Sequence, residues 1–181
     1  MQMRFSIANI INNVGKFGPV LLFIPSVFLL WKQSKMTLLN YYVLGYFANL
    51  VFNLILKGIF KEPRPFENQK LFQLALKKRM EDGNMSLLDM NIFGMPSGHA
   101  QMVMYSTMYI HFALKNPYIS AIYFIISLIT MYQRVNKNMH TVTQVLVGGI
   151  IGGLFAYEVF YFSQRKIAGN IATKKDDYGP K

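Results

Sequence analysis

The sequence predicts an all-α, multi-span membrane bundle of about five transmembrane helices, and three observations lead there. The chain is 52% hydrophobic yet carries a net charge of +11. Its apolar residues gather in runs while the charges fall between them, which is the pattern of membrane spans. The breaks between several runs are tight and polar, as at Lys32–Lys35 and Lys115-Asn116-Pro117, so successive helices return across the same layer. With 181 residues, one domain is expected. We place the membrane-embedded domain at residues 1–163 and a polar, basic tail at 164–181.

The elements follow in order. Met1–Lys16 mixes Ile pairs with Asn and Lys, and reads as a short amphipathic helix at the interface. It lacks a small-residue cleavage site and is not read as a signal peptide. Phe17–Trp31 is apolar but holds Gly18, Pro19 and Pro25, so the first span is expected to be short or kinked. Met36–Leu56 is the second span, about the length needed for a bilayer core of ~30 Å. Its Asn40, Asn49 and Asn53 are expected to face other helices rather than lipid.

Residues 57–96 form the only long polar segment. The prolines of Lys61-Glu62-Pro63-Arg64-Pro65 stop a helix. Leu71, Leu74 and Ala75 have helical spacing beside Lys77-Lys78-Arg79, with Gly83 as a C-cap, which predicts an amphipathic helix on the membrane surface. Asn84-Met85-Ser86 has the form of a glycosylation acceptor. Ser97–Leu114, Pro117–Tyr132 and Thr141–Phe162 are the third, fourth and fifth spans. The fifth holds Gly148, Gly149, Gly152 and Gly153, two overlapping small-xxx-small patterns for close helix contact.

Composition excludes several classes. There is no cysteine, so disulfides, thiolate chemistry and cysteine metal sites are absent. No basic stripe with interleaved aromatics or nucleic-acid motif occurs, so nucleic acid is not the expected partner. Anionic lipid or a phosphorylated substrate accounts better for the positive charge.

With strict alternation, the second span ends, the third starts, the fourth ends and the fifth starts on one side of the membrane. That side collects Lys57, Arg64, Ser97, His99, Arg134 and His140. Gly94-Met95-Pro96-Ser97-Gly98-His99-Ala100-Gln101 opens the third span, with Pro96 as a helix starter. Ser97 and His99 fall in the opening turn, where free N–H groups favour an anion, and Gly98 allows close approach. The same string is also an ordinary helix cap. Three cations and a helix N-terminus suit a phosphate, and two histidines suit a nucleophile and a general acid. No carboxylate cluster accompanies them, so neither a metal nor another cofactor is expected. Lys61 and Lys137 read as loop charges, His111 as structural and Glu158 as a polar contact.

These motifs carry a resemblance. Lys57 followed after six residues by Arg64-Pro65, then Pro96-Ser97-Gly98-His99, then Gln133-Arg134 followed after five residues by His140 resemble the three motifs of the type 2 phosphatidic acid phosphatase superfamily. Two positions depart from it: the superfamily usually has serine at Gln133 and aspartate at Gln144. Within the superfamily, the 94–101 string and His140-Thr141-Val142-Thr143-Gln144-Val145 resemble dolichyl diphosphate phosphatases, which also carry glutamine at the position of Gln144.

The resemblance implies metal-free removal of the terminal phosphate from a polyprenyl diphosphate. His140 would be the nucleophile, His99 the general acid and base, and Lys57, Arg64, Ser97, Gly98 and Arg134 the phosphate cradle. The Gln144 carbonyl, four residues on, can reach back to Nδ1 of His140. A broader phosphatase of phosphatidic acid-like monoesters and an inactive lipid-binding scaffold are the alternative expectations. Basic residues divide too evenly between the two sides for the positive-inside rule to orient the chain. The resemblance implies an endoplasmic reticulum membrane with a lumenal site.

Overall fold

A computed structural model describes residues 6–65, 73, 74, 76, 77 and 87–169. Five α-helices make the bundle: α1 (Ile7–Lys32), α2 (Met36–Phe60), α3 (Gly98–Leu114), α4 (Pro117–Asn136) and α5 (Val142–Gly169). A 3-10 turn at Leu87–Ile92 precedes α3. No strand occurs among the described residues. Among the described residues four helices, all but α3, are long and apolar enough to cross a membrane. Within the expected surface helix around residues 71–83, residues 73, 74, 76 and 77 are helical; the rest of that stretch, the Asn84 acceptor and residues 170–181 of the tail lie outside the described residues.

The bundle is apolar outside and polar inside, the arrangement that lipid imposes. Leu44 is 71% exposed and Leu154 62%, whereas Asn49, Gln101, Ser106 and Ser127 are fully buried. Helix α3 runs through the centre, and its 17 residues span about 26 Å at the helical rise. Its polar side chains are paired across helices: Thr107 with Ser127 at 2.8 Å and Ser106 with the Tyr42 hydroxyl at 2.8 Å. Tyr105 and Tyr109 donate to the carbonyls of Tyr42 and Leu38 on α2, at 3.0 and 2.8 Å. Each ring thus brings apolar area into the core without an orphan hydroxyl.

Helix α5 packs closely on α3 because two of its glycines leave room for backbone. A Cβ on Gly148 would stand 2.6 Å from the Ser97 carbonyl oxygen, and one on Gly152 2.0 Å from that of Gln101. Gly149 and Gly153 instead meet methionine side chains at 3.3 Å or more. Of the two small-residue patterns, the 148/152 pair makes the interface.

The N-terminal region differs from expectation. Residues 7–32 form one helix of 26 residues through Pro19 and Pro25, rather than an interfacial helix followed by a short span. Each proline removes a single backbone bond, and packing against α4 and α2 compensates. Beside Pro25, the Ser26 hydroxyl donates to the Leu22 carbonyl at 2.6 Å and lies 3.2 Å from the Tyr123 hydroxyl. Asn40 is exposed while Asn49 and Asn53 are buried, so only the latter two face helices as expected. Glu158 is likewise exposed. His111 pairs with Ser120 at 3.0 Å, on the end of α3 away from His99.

Candidate active site

One end of the bundle gathers the predicted residues, and a polar ladder sets its depth. Gln101 donates to Asn49 Oδ1 at 2.7 Å and accepts from Asn53 Nδ2 at 2.7 Å. Asn53 also donates to the Pro96 carbonyl at 3.2 Å. Helices α2 and α3 are thereby locked together one turn below the loop that carries Ser97, Gly98 and His99. Pro96 is not the first helical residue; it precedes Ser97, the N-cap, and Gly98 begins the helix. The opening turn still presents Gly98 and His99.

Lys57 is 1% exposed and donates to the Phe93 carbonyl at 2.5 Å. Arg64 donates to the Asn91 carbonyl at 2.9 Å. Both cations therefore brace the loop before α3. Arg134 and His140 belong to one turn after α4. The backbone N–H groups of Met139 and His140 donate to the Arg134 carbonyl at 3.0 and 3.3 Å, and Asn138 takes the left-handed conformation with φ 52°. Ser97 Oγ and Arg134 Nε are buried without a hydrogen-bond partner among the described residues. These are donors of the kind a phosphate oxygen takes.

Gln144 is fully buried, and its amide is paired on all sides. Its Oε1 lies 3.2 Å from His140 Nδ1 and accepts from the Thr141 N–H at 3.2 Å. Its Nε2 donates to Glu62 Oε1 and to the Pro63 carbonyl, both at 2.8 Å. A backbone N–H only donates and a carbonyl only accepts, so Thr141 and Pro63 fix which end of the amide is oxygen. His140 Nδ1 must then carry a proton, which leaves Nε2 with its lone pair. Burial, followed by the positive charges of Arg64 and Lys57, holds the His140 ring down to about 3, although its Gln144 and Gly94 hydrogen bonds pull the other way. The ring is neutral at pH 7.

The structure brings together Lys57, Arg64, Ser97, Gly98, His99, Arg134, His140 and Gln144. It adds Glu62, which in the sequence stands only as part of the helix stop at 61–65. Nothing local marks it, because its partner lies 82 residues away. Gln133 does not join the cluster through its side chain, which turns to α1 and donates to Asn12 Oδ1 at 3.0 Å. Lys61 and Lys137 are exposed, as loop charges should be. Among the described residues, no group of three or more His, Asp or Glu is placed to hold a metal ion.

The sequence pattern of the PAP2 superfamily matches residues 37–168. The chain belongs to the PAP2 superfamily. The match runs from the start of α2 to the end of α5 and includes all three motifs, leaving the whole of α1 outside. Membership carries lipid phosphatase activity in general terms and makes this chain a membrane hydrolase of lipid phosphates. Comparison with curated proteins and with solved structures returns no match.

Proposed function

We propose that this superfamily member removes the terminal phosphate of a polyprenyl diphosphate of the dolichyl type through a phosphohistidine. The observation that carries the mechanism is the His140–Gln144 contact, 3.2 Å from Nδ1 to Oε1, which leaves His140 Nε2 as the free nucleophile. Its lone pair attacks the terminal phosphorus, and the bond from phosphorus to the bridging oxygen breaks. His99 gives a proton to the departing lipid phosphate. In the second step a water gives its proton to His99, its oxygen bonds to phosphorus, and the P–N bond breaks. Inorganic phosphate leaves and His140 regains its lone pair.

Lys57, Arg64 and Arg134, with the Ser97 hydroxyl and Gly98 N–H, hold the equatorial oxygens where charge is spread in the transition state. Charge stabilisation of this kind needs no divalent cation. The diphosphate preference is supported by the resemblance of the 94–101 and 140–145 strings to dolichyl diphosphate phosphatases, Gln144 included. By the same resemblance we assign the site to the lumenal face of the endoplasmic reticulum membrane.

The test is phosphate release by the purified protein in detergent, with polyprenyl diphosphate against phosphatidic acid. Faster release from the diphosphate, retained in EDTA and inhibited by vanadate, is expected. Preference for phosphatidic acid overturns the substrate assignment, and a magnesium requirement overturns the metal-free route. Rapid quench with a labelled substrate separates the histidines. His140→Ala forms no phosphoenzyme, while His99→Ala still forms one from a substrate with a good leaving group.

A further inference from the structure

Helix α1 supplies none of the three motifs, yet it reaches the site at two points. The Lys16 carbonyl lies 3.3 Å from Nε2 of His99. One turn earlier, Asn12 Oδ1 accepts from Gln133 Nε2 at 3.0 Å, and Gln133 directly precedes Arg134 in the third motif. Helices α1 and α4 meet here at a separation that glycine sets. A Cβ on Gly15 would stand 2.2 Å from the Gln133 Cβ, and one on Gly18 2.0 Å from Thr130 Oγ1. Residues 12, 15 and 16 lie on adjoining turns of one helix face, so clamp, seat and carbonyl move together.

A carbonyl oxygen only accepts, so Nε2 of His99 carries a proton while this contact holds. We infer that α1 is a working part of the site: the Lys16 carbonyl fixes the His99 tautomer, and Asn12, Gly15 and Gln133 set where that carbonyl stands. Nδ1 of His99 is then the atom that exchanges protons. Nδ1 first takes up a proton from solvent, and His99, so made an imidazolium, gives that proton to the leaving oxygen while the P–O bond breaks. In the second step the Nδ1 lone pair takes a proton from water as the P–N bond breaks. Lys16, Asn12 and Gln133 are positioning residues. The departure at Gln133 gains a physical reason, because a serine side chain is shorter by two heavy atoms and the bond to Asn12 needs the longer amide.

The inference rests on the phosphatase reading, and the experiment separates the two. Asn12→Leu and Gly15→Leu are compared with wild type in quenched-flow phosphorylation of His140. One substrate is a long-chain alkyl phosphate, whose alkoxide needs a proton to leave. The other is p-nitrophenyl phosphate, whose phenolate does not. Both variants are expected to slow phosphorylation by the alkyl phosphate about ten- to a hundredfold, and to stay within about threefold for the aryl phosphate. Equal losses on both substrates, or no loss on either, overturn the inference. If wild type is phosphorylated by neither of these nor by polyprenyl diphosphate, the phosphatase reading falls; the tautomer measurement tests the inference whichever substrates are accepted. Independently of activity, ¹⁵N NMR of the His99 ring in a His111→Gln, His140→Gln background reads the tautomer. Protonated Nε2 with bare Nδ1 at neutral pH is expected with Gly15 in place and is lost in Gly15→Leu; the opposite tautomer with Gly15 in place overturns the inference.

Discussion

His140 Nδ1 lies 3.2 Å from the amide oxygen of Gln144, and the remaining partners of that amide leave it one orientation. This contact does for His140 what a carboxylate does in hydrolytic triads, holding the tautomer and aiming the ring. A neutral amide differs from a carboxylate in one respect: it stabilises the imidazolium less. Gln144→Asp is therefore expected to remain active with its acidic limb moved to higher pH. The carboxylate favours the protonated ring, so His140 loses its lone pair earlier as pH falls. Gln144→Ala should lower turnover by roughly ten- to a thousandfold, since the aim is lost while the phosphate cradle remains. Pre-steady-state phosphorylation across pH 4–9 measures both effects.

Glu62 acts on the nucleophile through Gln144, from which it accepts at 2.8 Å. Glu62→Ala leaves the Gln144 amide with one acceptor, the Pro63 carbonyl, and should slow phosphorylation by roughly three- to thirtyfold with little change in KM. Because the two residues act in series, Glu62→Ala should cost almost nothing further in a Gln144→Ala background. Additive losses in the double variant would show that Glu62 touches the reaction by another route.

A direct titration tests the electrostatics. The free enzyme's His140 ring is held down to about 3 by burial first and by Arg64 and Lys57 second. The ring should therefore stay neutral from pH 8 to pH 5, where an ordinary imidazole of pKa about 6.5 is mostly charged. Arg64→Met removes one positive neighbour while the ring stays buried, so the pKa should rise toward the ordinary value. The protonated fraction at pH 5 then increases. NMR of the ring in detergent micelles checks this, and protonation of the wild-type ring near pH 6.5 would contradict it.

Much of this arrangement is legible in the sequence. The charges between apolar runs mark four of the helix ends within a few residues, and the three motifs, with Gln144 beyond the last of them, mark eight residues that the fold gathers. The reach from Gln144 back to His140 follows from their four-residue separation. Long-range partners are not legible in this way. Glu62 and Gln144 are far apart in the chain, and Gln133 finds Asn12 across a helix packing that no local periodicity encodes. The prolines of α1 mislead because they break a helix in water, whereas packed neighbours in the bundle tolerate them. Asn40 misleads because an amide near a span end can reach polar surroundings without a helix partner.

The four glycines of α5 were equivalent as a pattern and are not equivalent in the fold. A Cβ on Gly152 would stand 2.0 Å from the Gln101 carbonyl oxygen and 2.8 Å from its carbon. Backbone at that distance cannot turn aside, so α3 and α5 would have to separate. A Cβ on Gly153 would meet the Met108 Cγ at 3.5 Å, an ordinary contact with a flexible side chain. Alanine also favours a helix over glycine by about 1 kcal/mol. Gly153→Ala should therefore leave thermal unfolding in detergent unchanged or slightly raise its midpoint. Gly152→Ala should lower it clearly. Gln101 holds Asn53, and Asn53 holds the Pro96 carbonyl, so Gly152→Ala should also displace the loop before His99. Protein that survives the substitution is expected to lose turnover more than its folded fraction accounts for, as measured on the fraction recovered by size exclusion. Equal unfolding midpoints for the two variants would show that the α3–α5 contact is looser than this backbone approach requires.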